Sequence, residues 1–153
     1  MENIRLLVEQ FRKAIEKAQQ NGEIDELEFF KRFPKGCCGN ASNFLGHFLL
    51  QNGIESYYIY GCCPSSDITE NPQSHAWLLL EDDTIIDITG DQFKDDFHFL
   101  NYNHPIYIGK TDDFHKLFNC DIRDKRKSVP IEKLYIFNMQ MFSDIYKKII
   151  KYL

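Results

Sequence analysis

Ser74-His75-Ala76-Trp77-Leu78-Leu79-Leu80, followed across Glu81-Asp82-Asp83 by Thr84-Ile85-Ile86-Asp87-Ile88-Thr89, is the stretch of this chain that decides its fold. Two runs of strand-forming residues flank a short acidic break, and that pattern predicts a β-hairpin. Alternate side chains of a strand share a face. His75 therefore points the same way as Trp77 and Leu79, and Asp87 the same way as Ile85 and Thr89. A carboxylate among Ile85, Ile86 and Ile88 is a costly choice for a buried strand unless it is paired. The hairpin offers it the imidazole of His75. The plainer readings are a half-buried core histidine and an aspartate that starts the turn before Gly90-Asp91.

Upstream lies Phe33-Pro34-Lys35-Gly36-Cys37-Cys38-Gly39. Pro34 and Gly36 break the chain, and from Cys38 to Gln51 the residues Ala41, Phe44, Leu45, Phe48 and Leu49 form one helical stripe. Asn52-Gly53 ends it. A thiol at a helix start sits beside unpaired N–H groups and partial positive charge, and a nearby imidazolium lowers its pKa further. Read in order, the chain supplies a thiol, an imidazole and a carboxylate, the parts of an activated nucleophile. Of the two cysteines, Cys38 is preferred because it lies in line with Ala41 and Leu45. Its own N–H is placed to hold a developing oxyanion. Gln92 either donates to that oxyanion or closes a turn. Taken alone, the cysteine pair reads as two small buried hydrophobes.

Outward from this centre the periodicity predicts a helix over residues 2–20 and a short second one over 24–32. Strands are expected at 56–60, 75–80, 84–88 and 105–108, a polar loop at 63–73, and a long amphipathic helix over 131–152. Arg123-Asp124-Lys125-Arg126-Lys127 reads as a solvated loop. Helices first, then a mostly antiparallel sheet, then a helix is an α+β layout. No linker or repeat divides the chain, so residues 1–153 read as a single domain.

An apolar fraction of 43%, with 14% aromatics, is enough for a packed core. The net charge of −5 disfavours nucleic acid and anionic membrane surfaces as partners. No apolar run approaches a membrane span, and the N-terminus lacks the pattern of a secretory signal. The cysteines Cys37, Cys38, Cys62, Cys63 and Cys120 form a poor disulfide framework, which points to a reducing cytoplasm. Together with His75 they offer soft ligands for zinc, but no Cys-x-x-Cys spacing occurs, so neither metal nor organic cofactor is expected. His47, His98, His104 and His115 read as surface or capping residues.

The Gly-x-Cys helix start, the His-Ala-Trp strand and the Ile-Asp-Ile-Thr strand together resemble the core of transglutaminase-like proteins within the papain-like thiol superfamily. The likeness covers about residues 33–93. It implies a nucleophile helix packed on the sheet, with Cys38, His75 and Asp87 in the catalytic positions. It further implies acyl chemistry on an amide of a protein or peptide through a thioester, as in a protease, amidase, deamidase or acyltransferase. The family usually has an aromatic residue just after the cysteine, where this chain has Gly39. A different class also fits: a non-catalytic interaction domain that keeps the fold. Its partner groove would be lined by the aromatic stretch 93–107, or by a C-terminal helix carrying Tyr135, Phe137, Met139, Met141 and Phe142.

Overall fold

In the computed structural model, which describes residues 1–64 and 73–153, the hairpin is built around β2 (Gln73–Leu79) and β3 (Ile85–Asp87). They pair antiparallel, Leu79 opposite Ile85 and Leu78 opposite Ile86. The turn closes where the Leu80 N–H donates to the Thr84 carbonyl at 2.8 Å, with Asp83 in the left-handed region. β1 (Tyr57–Cys63) lies on the other side of β2, with Gly61 opposite His75. β4 (Tyr107–Gly109) and β5 (Ile122–Lys127) complete a five-stranded antiparallel sheet in the order β4-β3-β2-β1-β5. Four α-helices accompany it among the described residues: α1 (Glu2–Gln20), α2 (Cys38–Gln51), α3 (Asp113–Asn119) and α4 (Met139–Ile150). The protein is thus α+β, and no described helix is long and apolar enough to cross a membrane.

The alternation of the central strands explains the two layers. Tyr58, Ala76, Leu78, Ile86 and Ile88 pack with apolar residues of α1, α2 and α4, including Phe11, Phe44, Leu45 and Ile145. The opposite parity, Ile59, Trp77 and Ile85, packs with Phe93, Phe99, Tyr102, Phe114 and Phe118. Burial on both faces accounts for the unbroken apolar run Trp77-Leu78-Leu79-Leu80. Gly61 is needed for the second layer, because a Cβ there would stand 2.4 Å from the Phe118 carbonyl oxygen at the end of α3.

Four expectations are corrected. Residues 24–32 form only a 3-10 turn over Glu28–Arg32. The segment 131–152 is not one helix: a 3-10 turn over Ile131–Lys133 gives way to extended backbone at Leu134, and α4 begins only after Asn138. The cause is local, since the Asn138 side chain accepts from the Met141 N–H and caps α4 at that point. Tyr135 and Phe137 in the intervening segment are fully exposed. The basic cluster 123–127 is not a loop but the edge strand β5, its ladder supplied by β1; charged side chains suit an unprotected edge. The seven residues of α3 also form a helix where none is expected, started by Asp112, whose carboxylate accepts from the His115 N–H. Of the expected loop 63–73, Cys63 belongs to β1 and Gln73 to β2, and residues 65–72 lie outside the described residues.

Candidate active site

Asp87 ends β3 and is completely buried, as is His75 on β2. One carboxylate oxygen of Asp87 lies 2.7 Å from His75 Nε2. The other accepts from the Thr89 N–H at 2.8 Å and from the Thr89 hydroxyl at 3.3 Å. Asp87 thus both orients the imidazole and starts the turn, joining the two roles its sequence position suggests. Burial by itself would protonate this carboxylate, but the histidine charges and hydrogen bonds hold it well below the usual carboxylate range. The same pairing overcomes the burial penalty on His75 and raises its proton affinity. The imidazole shares its face with Trp77, Phe93, Phe114 and Phe118, as strand parity requires.

With Nε2 committed to Asp87, Nδ1 is the remaining ring nitrogen of His75, and the Gln92 side-chain amide nitrogen lies 3.2 Å from it. Cys38, the first residue of α2, lies close enough to His75 for the imidazole to act on its thiol. Burial opposes ionisation of this thiol, yet the His75 hydrogen bond and charge outweigh it and bring the pKa below the ordinary value. Cys37 stands one residue earlier, as the residue before the helix. It is buried, and its Sγ is directed 3.3 Å from the Pro34 carbonyl. Burial followed by the neighbouring Cys38 charge pushes its thiol up. Two adjacent cysteines therefore differ in kind, one facing the imidazole and the other turned into the core.

Gln92 joins this site. Its Nε2 lies 3.2 Å from His75 Nδ1 and donates to the Thr89 carbonyl at 3.0 Å, while its Oε1 accepts from the Gly36 N–H at 3.4 Å. Cys38 and Gln92 open into a groove of about 460 Å³ whose lining includes Gly36, Gly39, Tyr60 and Phe93 and, among the described residues, no charged side chain. The chain that bears Gln92 is fixed from behind by Arg12 of α1. Its guanidinium donates to both Asp91 carboxylate oxygens at 2.8 Å, to the Ile88 carbonyl at 2.6 Å and to the Pro105 carbonyl at 2.8 Å. It also lies 4.9 Å from the centre of the Phe33 ring, just upstream of the cysteines.

The expectation of surface or capping histidines fails for two of them. His47 is buried, accepts from the Ile131 N–H at 3.2 Å and packs against Tyr146. His115 is completely buried beside the candidate triad. Its Nε2 lies 3.2 Å from the same Asp87 oxygen that meets His75, and its Nδ1 lies 2.6 Å from Asp112. His75, Asp87 and His115 are the group of ligand-type side chains close enough to share a metal ion among the described residues. The 2.7 Å between His75 Nε2 and Asp87 is the length of a charge-assisted hydrogen bond, and His115 Nε2 lies 3.2 Å from the same oxygen. Cys37, Cys38, Cys62, Cys63 and Cys120 form no such cluster with His75 among the described residues. Compared with known proteins, the chain matches no protein-family model, no curated protein and no solved structure.

Proposed function

We propose that this protein is a cysteine-dependent hydrolase or acyltransferase that acts on an amide of a protein or peptide. Cys38 is the nucleophile, His75 the base and acid, and Asp87 the orienting carboxylate. The observation that carries this reading is a fully buried aspartate hydrogen-bonded to a buried imidazole that in turn lowers the pKa of a thiol at a helix N-terminus beside an open groove. A thiol lowered by an imidazole that a buried carboxylate stabilises is what thiol activation requires, and the opposite shift of Cys37 favours Cys38 as the reacting group. The placement of Cys38 on α2, His75 on β2 and Asp87 on β3 also supports a papain-like or transglutaminase-like core.

In this reading Cys38 passes its proton to His75 Nδ1, and the imidazolium is held by Asp87 through Nε2–H. The thiolate attacks the amide carbonyl carbon, and the carbonyl electron pair moves to oxygen. The Cys38 N–H at the start of α2 and the Gln92 side-chain amide supply donors for that oxyanion. When the C–N bond breaks, His75 gives its Nδ1 proton to the leaving amine. Water or a second amine then attacks the thioester and returns the thiol. A groove without described charged side chains suits a neutral amide.

Iodoacetamide labelling against pH, read by peptide mass spectrometry, tests the reading. Cys38 is expected to label rapidly well below the ordinary thiol pKa of ~8.5, and slowly after His75→Ala. Labelling of all the cysteines only near that ordinary value would remove the basis of the enzyme reading.

A further inference from the structure

The proposed chemistry uses Cys38, His75 and Asp87, but the buried network does not end there. Asp87 accepts two hydrogen bonds from Thr89 through one oxygen, and its other oxygen lies 2.7 Å from His75 Nε2 and 3.2 Å from His115 Nε2. Asp112 accepts from the His115 backbone N–H at 2.9 Å and from the Tyr102 hydroxyl at 2.7 Å, and lies 2.6 Å from His115 Nδ1. Each carboxylate accepts two hydrogen bonds from groups that can only donate to it, Asp87 from the Thr89 N–H and hydroxyl and Asp112 from the His115 backbone N–H and the Tyr102 hydroxyl, and both are held as anions. Each nitrogen of His115 faces one of them. A neutral imidazole has one N–H and one lone pair. Neutral His115 would set a lone pair against a carboxylate oxygen, and the ring itself is completely buried. Only the doubly protonated ring satisfies both contacts.

The groups around His115 agree with this. Asp87 faces it from β3, Asp112 from the residue before α3, and Tyr102 and Tyr107 stack near the ring from the preceding loop and β4. The cation that faces it is His75 on β2, whose ring centre is 6.3 Å away. Trp77 contributes an apolar wall.

We propose that His115 is a positioning residue for the Cys38–His75 pair: an imidazolium clamped between Asp87 and Asp112, which takes up part of the Asp87 charge and keeps His75 able to release its proton. With Asp87 alone, a buried His75 would hold its proton tightly and serve poorly as an acid towards the leaving amine. A second cation on the same carboxylate oxygen weakens that hold. His75 can then cycle between charged and neutral forms during turnover. This role rests on the thiol-enzyme reading; the charge state of His115 does not.

The test is long-range 1H–15N spectroscopy of the histidine rings from about pH 5 to about pH 11, a range that reaches past the raised His75 value of about 10. In the wild type both His115 nitrogens are expected to remain protonated through neutral pH, where an unperturbed imidazole has lost its proton. In His115→Gln, His75 is expected to lose its proton at a pH higher by about one unit or more, as removal of a like charge at this range dictates. Asp112→Asn keeps an acceptor to cap α3 and serves if the first variant does not fold. In it His115 is expected to titrate within the range. An unprotonated His115 nitrogen at neutral pH in the wild type, or an unmoved His75 in His115→Gln, would overturn the proposal. So would a His115 in Asp112→Asn that still holds both protons throughout. Failure of the enzyme reading appears separately, as ordinary Cys38 labelling in the wild type.

Discussion

Cys37 and Cys38 are chemically identical neighbours that a helix start makes unlike. Cys37 lies in the core with its sulfur on a carbonyl, whereas Cys38 faces His75. Cys38→Ala is expected to remove the fast-labelling thiol with little change in melting temperature. Cys37→Ala is expected to leave that labelling intact and to destabilise by about 1 kcal/mol through lost burial. The reverse result would move the nucleophile by one position. Asp87 is the residue on which most depends. Asp87→Asn leaves His75 and His115 without their shared anion, and breaking a buried pair in this way costs about 3 kcal/mol or more. Urea unfolding should register that loss, and Cys38 labelling in the variant should retreat towards the ordinary thiol range. An Asp87→Asn protein with unchanged midpoint and unchanged labelling would show that the buried carboxylate has neither role.

At the scale of elements, the site is assembled by ties between segments far apart in the chain. Arg12 binds α1 to the turn that follows β3, and that turn carries Gln92. Lysine cannot reproduce a two-pronged contact with Asp91 while also reaching two carbonyls. Arg12→Lys is therefore expected to lower stability by about 2 kcal/mol. It should also speed hydrogen exchange at the Asp91 and Gln92 amides more than in the sheet. Equal exchange rates at those amides would show that the turn holds itself. The second tie is between α3 and β1 at Gly61, where the Phe118 carbonyl leaves no room for a Cβ. Gly61→Ala is expected to cost about 1–3 kcal/mol by overpacking. It should also loosen α3, which carries His115. Chemical shift changes in the variant should therefore reach His75 as well as the residues around Phe118.

At the scale of the whole molecule, the buried charges make stability depend on pH in both directions. Asp87 has a folded-state pKa far below its unfolded value, and Asp112 is lowered to about 2. Their contribution is present above about pH 4, the unfolded carboxylate pKa, and is lost as pH falls towards 2. His75 and His115 have raised folded-state values. Their contribution is complete below about pH 6.5 and is lost progressively as pH rises above it. Melting temperature is therefore expected to be highest between those limits and to fall on both sides. The Asp87→Asn variant should show a much flatter profile. A wild-type profile as flat as that of the variant would mean that these groups do not differ between folded and unfolded states.

What the sequence determined by itself is what local periodicity controls. Alternation in 74–89 was enough to set His75 with Trp77 and Asp87 with Ile85, and to bring the two across a hairpin. The stripe from Ala41 to Leu49 was enough to start a helix at Cys38. The rest depended on partners distant in the chain. β5 has no apolar alternation of its own and is a strand because β1 offers it a ladder. The expected C-terminal helix loses its first half because Asn138 caps a later start, a choice that apolar spacing does not reveal. Arg12 and His115 carry no mark in their neighbourhoods that separates them from ordinary helix and turn residues, whereas Gln92, in the turn after Asp87, was legible as a candidate but not its contact with His75. The nearest signal is Asp112 three residues before His115, which reads equally well as a helix cap. Only tertiary structure brings His115 onto Asp87 and Arg12 onto Asp91, because a buried charge finds its partner through the fold, not through its neighbours in sequence.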